Sequence, residues 1–193
     1  YDMSKSRIVF TGILIWSFLA VHSGKAQVGD SSRISLKGMN TVFFEIFGPG
    51  YMSSVNFARV VYDDGKIILS PRIGLGGSFL ANVRGWNVPL ELNLLLGKST
   101  HYFETGLGLG YHSYSTKLGA SAEDKSFNSL NLSLRIGYRY QPSKNGLFFN
   151  IAFTPMFSVG SSAWVRNSEQ ISIGNPFQPW MGLGVGYSFK KNK

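Results

Sequence analysis

The chain contains no cysteine among its 193 residues. Structural disulfides and lipid attachment at a cysteine are therefore both excluded. After residue 26, no segment has the length and apolarity of a membrane-spanning helix. The sequence also has no closely spaced pair of histidines, and its acidic residues are scattered along the chain. Because these patterns do not form a metal site, we predict neither a metal nor another cofactor.

Lysine is absent from every stretch that reads as a β-strand. After residue 26 the chain divides into about eight segments in which apolar residues alternate with small or polar ones, the pattern of strands with two unlike faces. The lysines fall in turns, in loops or near the ends, at Lys37, Lys66, Lys98, Lys117, Lys125, Lys144, Lys190, Lys191 and Lys193. A soluble sheet would carry lysine on its outer face. We therefore predict a small barrel whose apolar face meets lipid and whose polar face lines the interior.

The alternation predicts eight strands and the direction of the barrel. The strands are expected at residues 40–47, 52–62, 68–79, 86–96, 102–114, 130–140, 147–157 and 180–189. Pro71 is expected to cause a bulge, because proline removes one hydrogen bond of the ladder. The links after the second, fourth and sixth strands are short, whereas residues 115–129 and 158–179 form long polar links. Membrane barrels of bacteria place short turns in the periplasm and long loops outside, so both termini are predicted to be periplasmic.

Composition supports an all-β, eight-stranded, antiparallel up-and-down transmembrane barrel. The chain has 23 glycines, and aromatic and charged residues each make up 15%. Aromatic residues cluster where the strands would cross the two membrane interfaces. The periplasmic belt is predicted to contain Tyr62, Phe103, Tyr138, Tyr140, Phe149, Tyr187 and Phe189. The outer belt is predicted to contain Tyr51, Trp86, Tyr111, Phe157 and Trp180.

The first 26 residues have the features of a secretory signal peptide. Lys5 and Arg7 precede an apolar run over residues 8–21, and small residues precede a cleavage site after Ala26. A membrane anchor is the alternative interpretation, but the run is short for a spanning helix. We therefore predict a cleaved signal at 1–26, a lead segment at 27–39, the barrel at 40–189 and a basic tail at 190–193.

Three acidic and three basic residues fall on the predicted inner face. They are Glu45, Glu91 and Glu104, together with Arg72, Arg135 and Arg139. An eight-stranded barrel is just wide enough for side chains to fill it, and unpaired charges inside it would be costly. We therefore predict an ion-pair network in the barrel interior. This network is expected to act as a structural plug; a switchable gate of a narrow pore is the alternative.

The last predicted strand carries the most specific motif. Residues 184–189 read Gly-Val-Gly-Tyr-Ser-Phe. Residues 40–45 read Asn-Thr-Val-Phe-Phe-Glu and residues 137–142 read Gly-Tyr-Arg-Tyr-Gln-Pro, and both segments resemble those of a group of uncharacterised barrels. Over residues 40–189 the chain resembles the small eight-stranded outer-membrane barrels of Gram-negative bacteria, of the outer membrane protein A and X type, and an uncharacterised group among them. The resemblance implies an outer-membrane location. It also implies an assembly signal, formed by Gly184, Tyr187 and Phe189, that the barrel-insertion machinery reads.

Some barrels of this size resemble lipid A acylases and deacylases, so a lipid-modifying enzyme is a second alternative. Such an enzyme needs a hydroxyl nucleophile and a histidine within hydrogen-bond reach. His101 lies at a predicted periplasmic turn, and His112 points away from the face that carries Ser113 and Ser115. We therefore predict that the protein is not an enzyme.

The remaining prediction is a structural or adhesion-like role through the outer loops. The expected partners are membrane lipids, lipopolysaccharide, the assembly machinery and an unidentified surface ligand. The chain has 19 basic and 10 acidic residues. However, no basic helix or aromatic platform accompanies this charge, so no nucleic-acid partner is predicted. The barrel is expected to be monomeric. A narrow, porin-like pore is the alternative function.

Overall fold

The computed structural model describes residues 34–80, 83–116, 125–164 and 177–190. The predicted signal segment, most of the lead, parts of both long outer loops and the last three residues lie outside these ranges. No helix within the described ranges is long and apolar enough to cross a membrane.

Eleven β-segments make up the described part of the chain. They are β1 Asn40–Phe47, β2 Ser53–Arg59, β3 Tyr62–Asp63, β4 Ile68–Leu80, β5 Val83–Lys98, β6 His101–Thr116, β7 Lys125–Tyr140, β8 Gly146–Phe153, β9 Met156–Trp164, β10 Phe177–Gln178 and β11 Met181–Phe189. Three barrel strands are interrupted, namely β2 with β3, β8 with β9, and β10 with β11. The eleven segments therefore form eight barrel strands.

Each barrel strand pairs antiparallel with its neighbours in the chain. The first and last strands also pair, with Phe44 opposite Val185, and this pairing closes the barrel. β8 bridges β7 and β11, so the ladder runs around the full circumference. The predicted all-β, eight-stranded, antiparallel up-and-down architecture is confirmed.

The two faces of the strands differ as the alternation predicts. On β6, Leu107 points outward with 59% of its surface exposed, whereas Glu104 points inward with 1% exposed. The same contrast appears on β1, where Phe44 is exposed and Glu45 is buried. The barrel thus has an apolar outer face and a polar interior, the arrangement of a barrel surrounded by lipid.

Several details differ from the prediction. β6 and β7 reach Thr116 and Lys125, and β9 reaches Trp164, so the long outer links are partly β-strand. Lys125 and Lys98 occupy the terminal positions of β7 and β5, so lysine is excluded from strand interiors but not from strand ends. We call the end of the barrel with the short turns the short-turn end and the opposite end the long-loop end.

The prediction of a bulge at Pro71 is wrong. Pro71 pairs with Leu92 in an unbroken register. Pairing between β4 and β5 is instead interrupted between Ile73 and Gly76, opposite the stretch of β5 that contains Pro89. Proline has no backbone N–H, so β5 offers β4 no hydrogen-bond donor at Pro89. A register shift between Leu130 and Asn131 is found where β7 pairs with β9.

Candidate functional site: the barrel lumen

The structure brings the six predicted inner-face charges together in the middle of the lumen. Glu45 accepts an ion-pair hydrogen bond from Arg72, and its Oε1 lies 2.8 Å from Arg135 Nη2. Arg135 Nε lies 3.1 Å from Glu104 Oε2, and Arg139 Nη1 lies 3.1 Å from Glu104 Oε1. One guanidinium, that of Arg135, therefore links carboxylates from β1 and β6 across the barrel.

Glu91 joins this network less tightly. Its Oε2 lies 3.0 Å from Arg72 Nη1 and 3.5 Å from Arg135 Nη1. In the part of the chain that the structure describes, neither carboxylate oxygen of Glu91 accepts a hydrogen bond of good geometry, and Nη1 of Arg135 donates none. Glu91 is thus held by charge more than by directed hydrogen bonds.

Burial and charge balance determine what this network does. All six charged side chains have at most 2% of their surface exposed. Removing an isolated charge from water is costly, and mutual pairing is what compensates for that cost. Three carboxylates face three guanidinium groups, so the set is neutral overall. The network therefore fills the middle of the lumen without leaving a net charge there.

Two phenylalanines support the arginines from the short-turn side. The guanidinium carbon of Arg72 lies 4.9 Å from the ring centre of Phe43, and that of Arg139 lies 4.9 Å from that of Phe148. The two rings also contact each other, with centres 4.8 Å apart. These cation–π contacts strengthen in a dry environment. Sequence reasoning missed both rings, although Phe43 shares the inward face of β1 with Glu45.

An apolar cluster closes the short-turn end, and we call it the apolar plug. It consists of Leu36, Met39, Val60, Ile68, Leu95 and Tyr102. Leu36 and Met39 precede β1 and are fully buried. The Gly38 amide donates to the Val60 carbonyl, and the Val60 amide donates to the Met39 carbonyl. The Leu36 amide donates to Asp63 Oδ2 at 2.7 Å. Residues 34–39, the described part of the lead, thus fold into the barrel opening.

The first turn at the long-loop end folds inward instead of projecting outward. We call residues 48–52 the inward turn. Gly48, Pro49 and Gly50 are buried, and Asn87 Nδ2 donates to the Gly50 carbonyl at 2.9 Å. Gly48 has a φ of 66°, and a Cβ at this position would lie 2.8 Å from Glu45 Oε2. Glycine is therefore required where the turn rests on the ion-pair network.

Tyr51 secures the inward turn through contacts with distant strands. Its hydroxyl donates to Gln178 Oε1 at 2.8 Å and accepts from Asn131 Nδ2 at 3.2 Å. Its ring meets those of His112 and Trp180 edge-on, at 4.5 and 5.6 Å. Its φ of 56° is unusual for a residue with a side chain, so these contacts hold a strained backbone in place. The prediction that Tyr51 belongs to the outer aromatic belt is wrong.

The two histidines lie in contrasting environments. His112 is buried under Tyr51, and within the described part of the chain neither of its ring nitrogens has a hydrogen-bond partner. His101 is exposed at the short-turn end, where its Nδ1 lies 2.6 Å from the Tyr138 hydroxyl. Over the described ranges, no group of three or more acidic residues, histidines or cysteines is placed to hold a metal ion.

The residues of the expected assembly signal lie on β11. Tyr187 and Phe189 point outward and are exposed, as an externally read signal requires. Gly184 points inward opposite Glu45. A Cβ at Gly184 would lie 3.0 Å from Phe43 Cδ2, so this glycine also gives the lumen side chains room.

No protein-family model matches the chain, and no curated protein does. Among solved structures, it is similar to the N-terminal β-barrel domain of OprF from Pseudomonas aeruginosa. That match has 13% identity and a TM-score of 0.53 and covers 79% of this chain and 98% of that one. A major outer membrane protein from Thermus thermophilus matches with 13% identity and a TM-score of 0.48, over 78% and 97% of the two chains. The first match supports the outer-membrane barrel fold, and at this identity it concerns the fold alone.

Proposed function

We propose that the chain is a closed outer-membrane barrel of a Gram-negative bacterium that does not conduct ions. Its role is structural, or consists of surface interactions through its outer loops. The observation that carries this proposal is the presence of three barriers in series along the lumen. These are the apolar plug at the short-turn end, the ion-pair network in the middle and the inward turn at the long-loop end. Ions crossing this barrel would have to displace all three.

The exposed apolar face supports the membrane location and the orientation. Leu75, Leu107 and Val185 lie on different sides of the barrel and are all more than half exposed. In water such a continuous apolar surface would cause aggregation, whereas in lipid it is the stable arrangement. The general rule for bacterial barrels then puts the short-turn end, with both termini, in the periplasm.

Partners follow from this placement. Phospholipids and lipopolysaccharide surround the barrel, and the assembly machinery reads Gly184, Tyr187 and Phe189 during insertion. The barrel acts as a monomer without a nucleic-acid partner, and an unidentified surface ligand contacts the outer loops. A non-enzymatic role is part of this proposal, and it is supported at His112, which has no hydroxyl partner within the described residues.

Two measurements test the proposal. Refolded protein in detergent is first run on a gel with and without boiling, because intact membrane barrels migrate anomalously until they are boiled. Heat-modifiable migration is expected. The same material is then inserted into planar bilayers, where the unmodified protein is expected to show no channels. Steady channel openings of the unmodified protein would contradict the closed state.

A narrow gated pore is the second candidate, and the loose contacts of Glu91 favour it. Among the described residues, neither oxygen of Glu91 accepts a hydrogen bond of good geometry, so this carboxylate is the least tightly held of the three. The Arg135→Ala variant distinguishes the two candidates. If the ion-pair network is only structural, this variant loses stability but shows no channels in bilayers, because the apolar plug still closes the short-turn end. If the network is a gate, the variant gains conductance.

A further inference from the structure

A row of three polar side chains crosses three strands on the outer face, at the short-turn end. Lys98 at the end of β5 lies opposite His101 on β6, and His101 lies opposite Tyr140 on β7. Directly opposed residues on neighbouring strands have Cβ atoms about 5 Å apart. The row therefore places an ammonium group, an imidazole and a phenol side by side at the barrel edge.

The next outward-facing row toward the barrel centre is apolar. Leu96, Phe103 and Tyr138 are paired in the same way, and 39%, 49% and 38% of their surfaces are exposed. Tyr138 connects the two rows, because its hydroxyl lies 2.6 Å from His101 Nδ1. When this hydroxyl donates to Nδ1, a neutral imidazole carries its proton on Nε2 and presents a donor. Hydrogen-bond donors thus lie directly beside an apolar surface that can contact lipid acyl chains.

The turn between Lys98 and His101 is held in place by hydrogen bonds to its two central carbonyls. The Tyr102 hydroxyl donates to the Ser99 carbonyl at 2.6 Å. The Gln141 amide donates to the Thr100 carbonyl at 2.8 Å. Tyr102 itself belongs to the apolar plug. The backbone next to Lys98 is therefore preorganised, unlike that of a lysine on a loose loop.

We propose that Lys98, His101 and Tyr140 form a binding site for the phosphate group of an anionic phospholipid in the leaflet next to the short-turn end. An ammonium group and neutral N–H or O–H donors are the groups that bind phosphate oxygens. A lipid is the source, rather than a free phosphate, because only a lipid also covers Leu96, Phe103 and Tyr138. This site rests on the proposed membrane location.

Lys66 provides a matched control. It is also exposed in a turn at the short-turn end, but that turn contains Asp63 and Asp64. Asp64 Oδ1 accepts a hydrogen bond from the Lys66 amide at 2.9 Å. The acidic surroundings of Lys66 disfavour a phosphate, so it reports what a lysine outside the row contributes.

The test titrates short-chain lipids into the full chain held in uncharged detergent micelles. Binding is followed by nuclear magnetic resonance of the amides of residues 97–101 and of the His101 ring. Phosphatidylglycerol is expected to shift these signals at lower concentration than phosphatidylcholine. Glycerol 3-phosphate is expected to leave them unchanged. Lys98→Gln is expected to weaken phosphatidylglycerol binding about fivefold, the effect of one lysine near an anionic surface. Lys66→Gln is expected to have no effect.

Each contrary outcome has a defined meaning. Equal weakening by Lys98→Gln and Lys66→Gln would show diffuse attraction and overturn the site, as would equal shifts with both lipids. Shifts with glycerol 3-phosphate would overturn the lipid as the source. Tyr140→Phe keeps the ring and removes the hydroxyl, so it tests the row if Lys98→Gln fails to fold. Heat-modifiable migration is checked for every variant. Failure of the unmodified protein to insert would contradict both the proposed membrane location and the lipid site. Insertion without these shifts would contradict the lipid site alone.

Discussion

Replacing Glu45 with glutamine tests whether the lumen network is held together by charge. Glu45 pairs with both Arg72 and Arg135, so Glu45→Gln leaves two buried guanidinium groups with one carboxylate fewer. Removing one partner of a buried ion pair typically costs about 3–5 kcal/mol. The loss is expected at the upper end of this range, because Gly48 packs against the carboxylate and restricts relaxation.

The assay is reversible urea unfolding of the barrel in lipid vesicles, followed by tryptophan fluorescence. Glu91→Gln is the matched control. It is expected to cost less than Glu45→Gln, since Glu91 accepts no hydrogen bond of good geometry from the described residues. The double variant Glu45→Gln with Arg72→Gln restores neutrality. It is expected to be at least about 2 kcal/mol more stable than the sum of the single effects implies. A cost below about 1 kcal/mol for Glu45→Gln would refute a charge-held network.

Three further predictions concern the apolar outer face, the apolar plug and the turn that contains Asp64. Leu107→Arg is expected to cost about 2–4 kcal/mol in vesicles, and an effect within about 0.5 kcal/mol would instead indicate a water-exposed position. Leu36→Asp is expected to lower the urea midpoint strongly because it buries a charge in the apolar plug, whereas Ile34→Asp, at an exposed position, should not. The backbone amide of Ile67, followed by that of Lys66, keeps the pKa of Asp64 below its usual value, so this turn is stabilised at neutral pH. The stabilisation is lost as the pH falls through the lowered value. A fall in the protection factor of the Ile67 amide in acid, relative to the intrinsic exchange rate at each pH, should show this, and an Asp64→Asn variant should lack the pH dependence.

Strand alternation was sufficient to predict the fold and the position of the charges. Side chains two residues apart share a face, so Arg135 and Arg139 had to lie together once the faces of β7 were assigned. Glu45, Arg72, Glu91 and Glu104 follow by the same rule on their own strands. Alternation does not predict which inward-facing side chains meet across the lumen. The central position of Arg135, between β1 and β6, therefore required the structure.

The two closed ends were not predictable in the same way. Leu36 and Met39 precede the first strand, where no periodic pattern indicates a face. The Gly-Pro-Gly sequence at 48–50 predicts a turn, but its inward direction depends on Asn87 and Asn131 on distant strands. The long links were predicted as loops because they are polar, yet pairing between β6 and β7 continues to Thr116 and Lys125, two and five residues beyond the predicted strand ends.

The central claim is that the apolar face meets lipid while the charges are enclosed. Because the chain has no cysteine, single cysteines carrying a nitroxide label can be placed at Leu75, Leu107 and Val185 without a background signal. Paramagnetic resonance of the vesicle-inserted protein then compares collisions with oxygen, which concentrates in lipid, and with a water-soluble nickel chelate. All three labels are expected to collide preferentially with oxygen. Preferential collision with the nickel chelate at these positions would show that the face is wetted, and it would contradict the account.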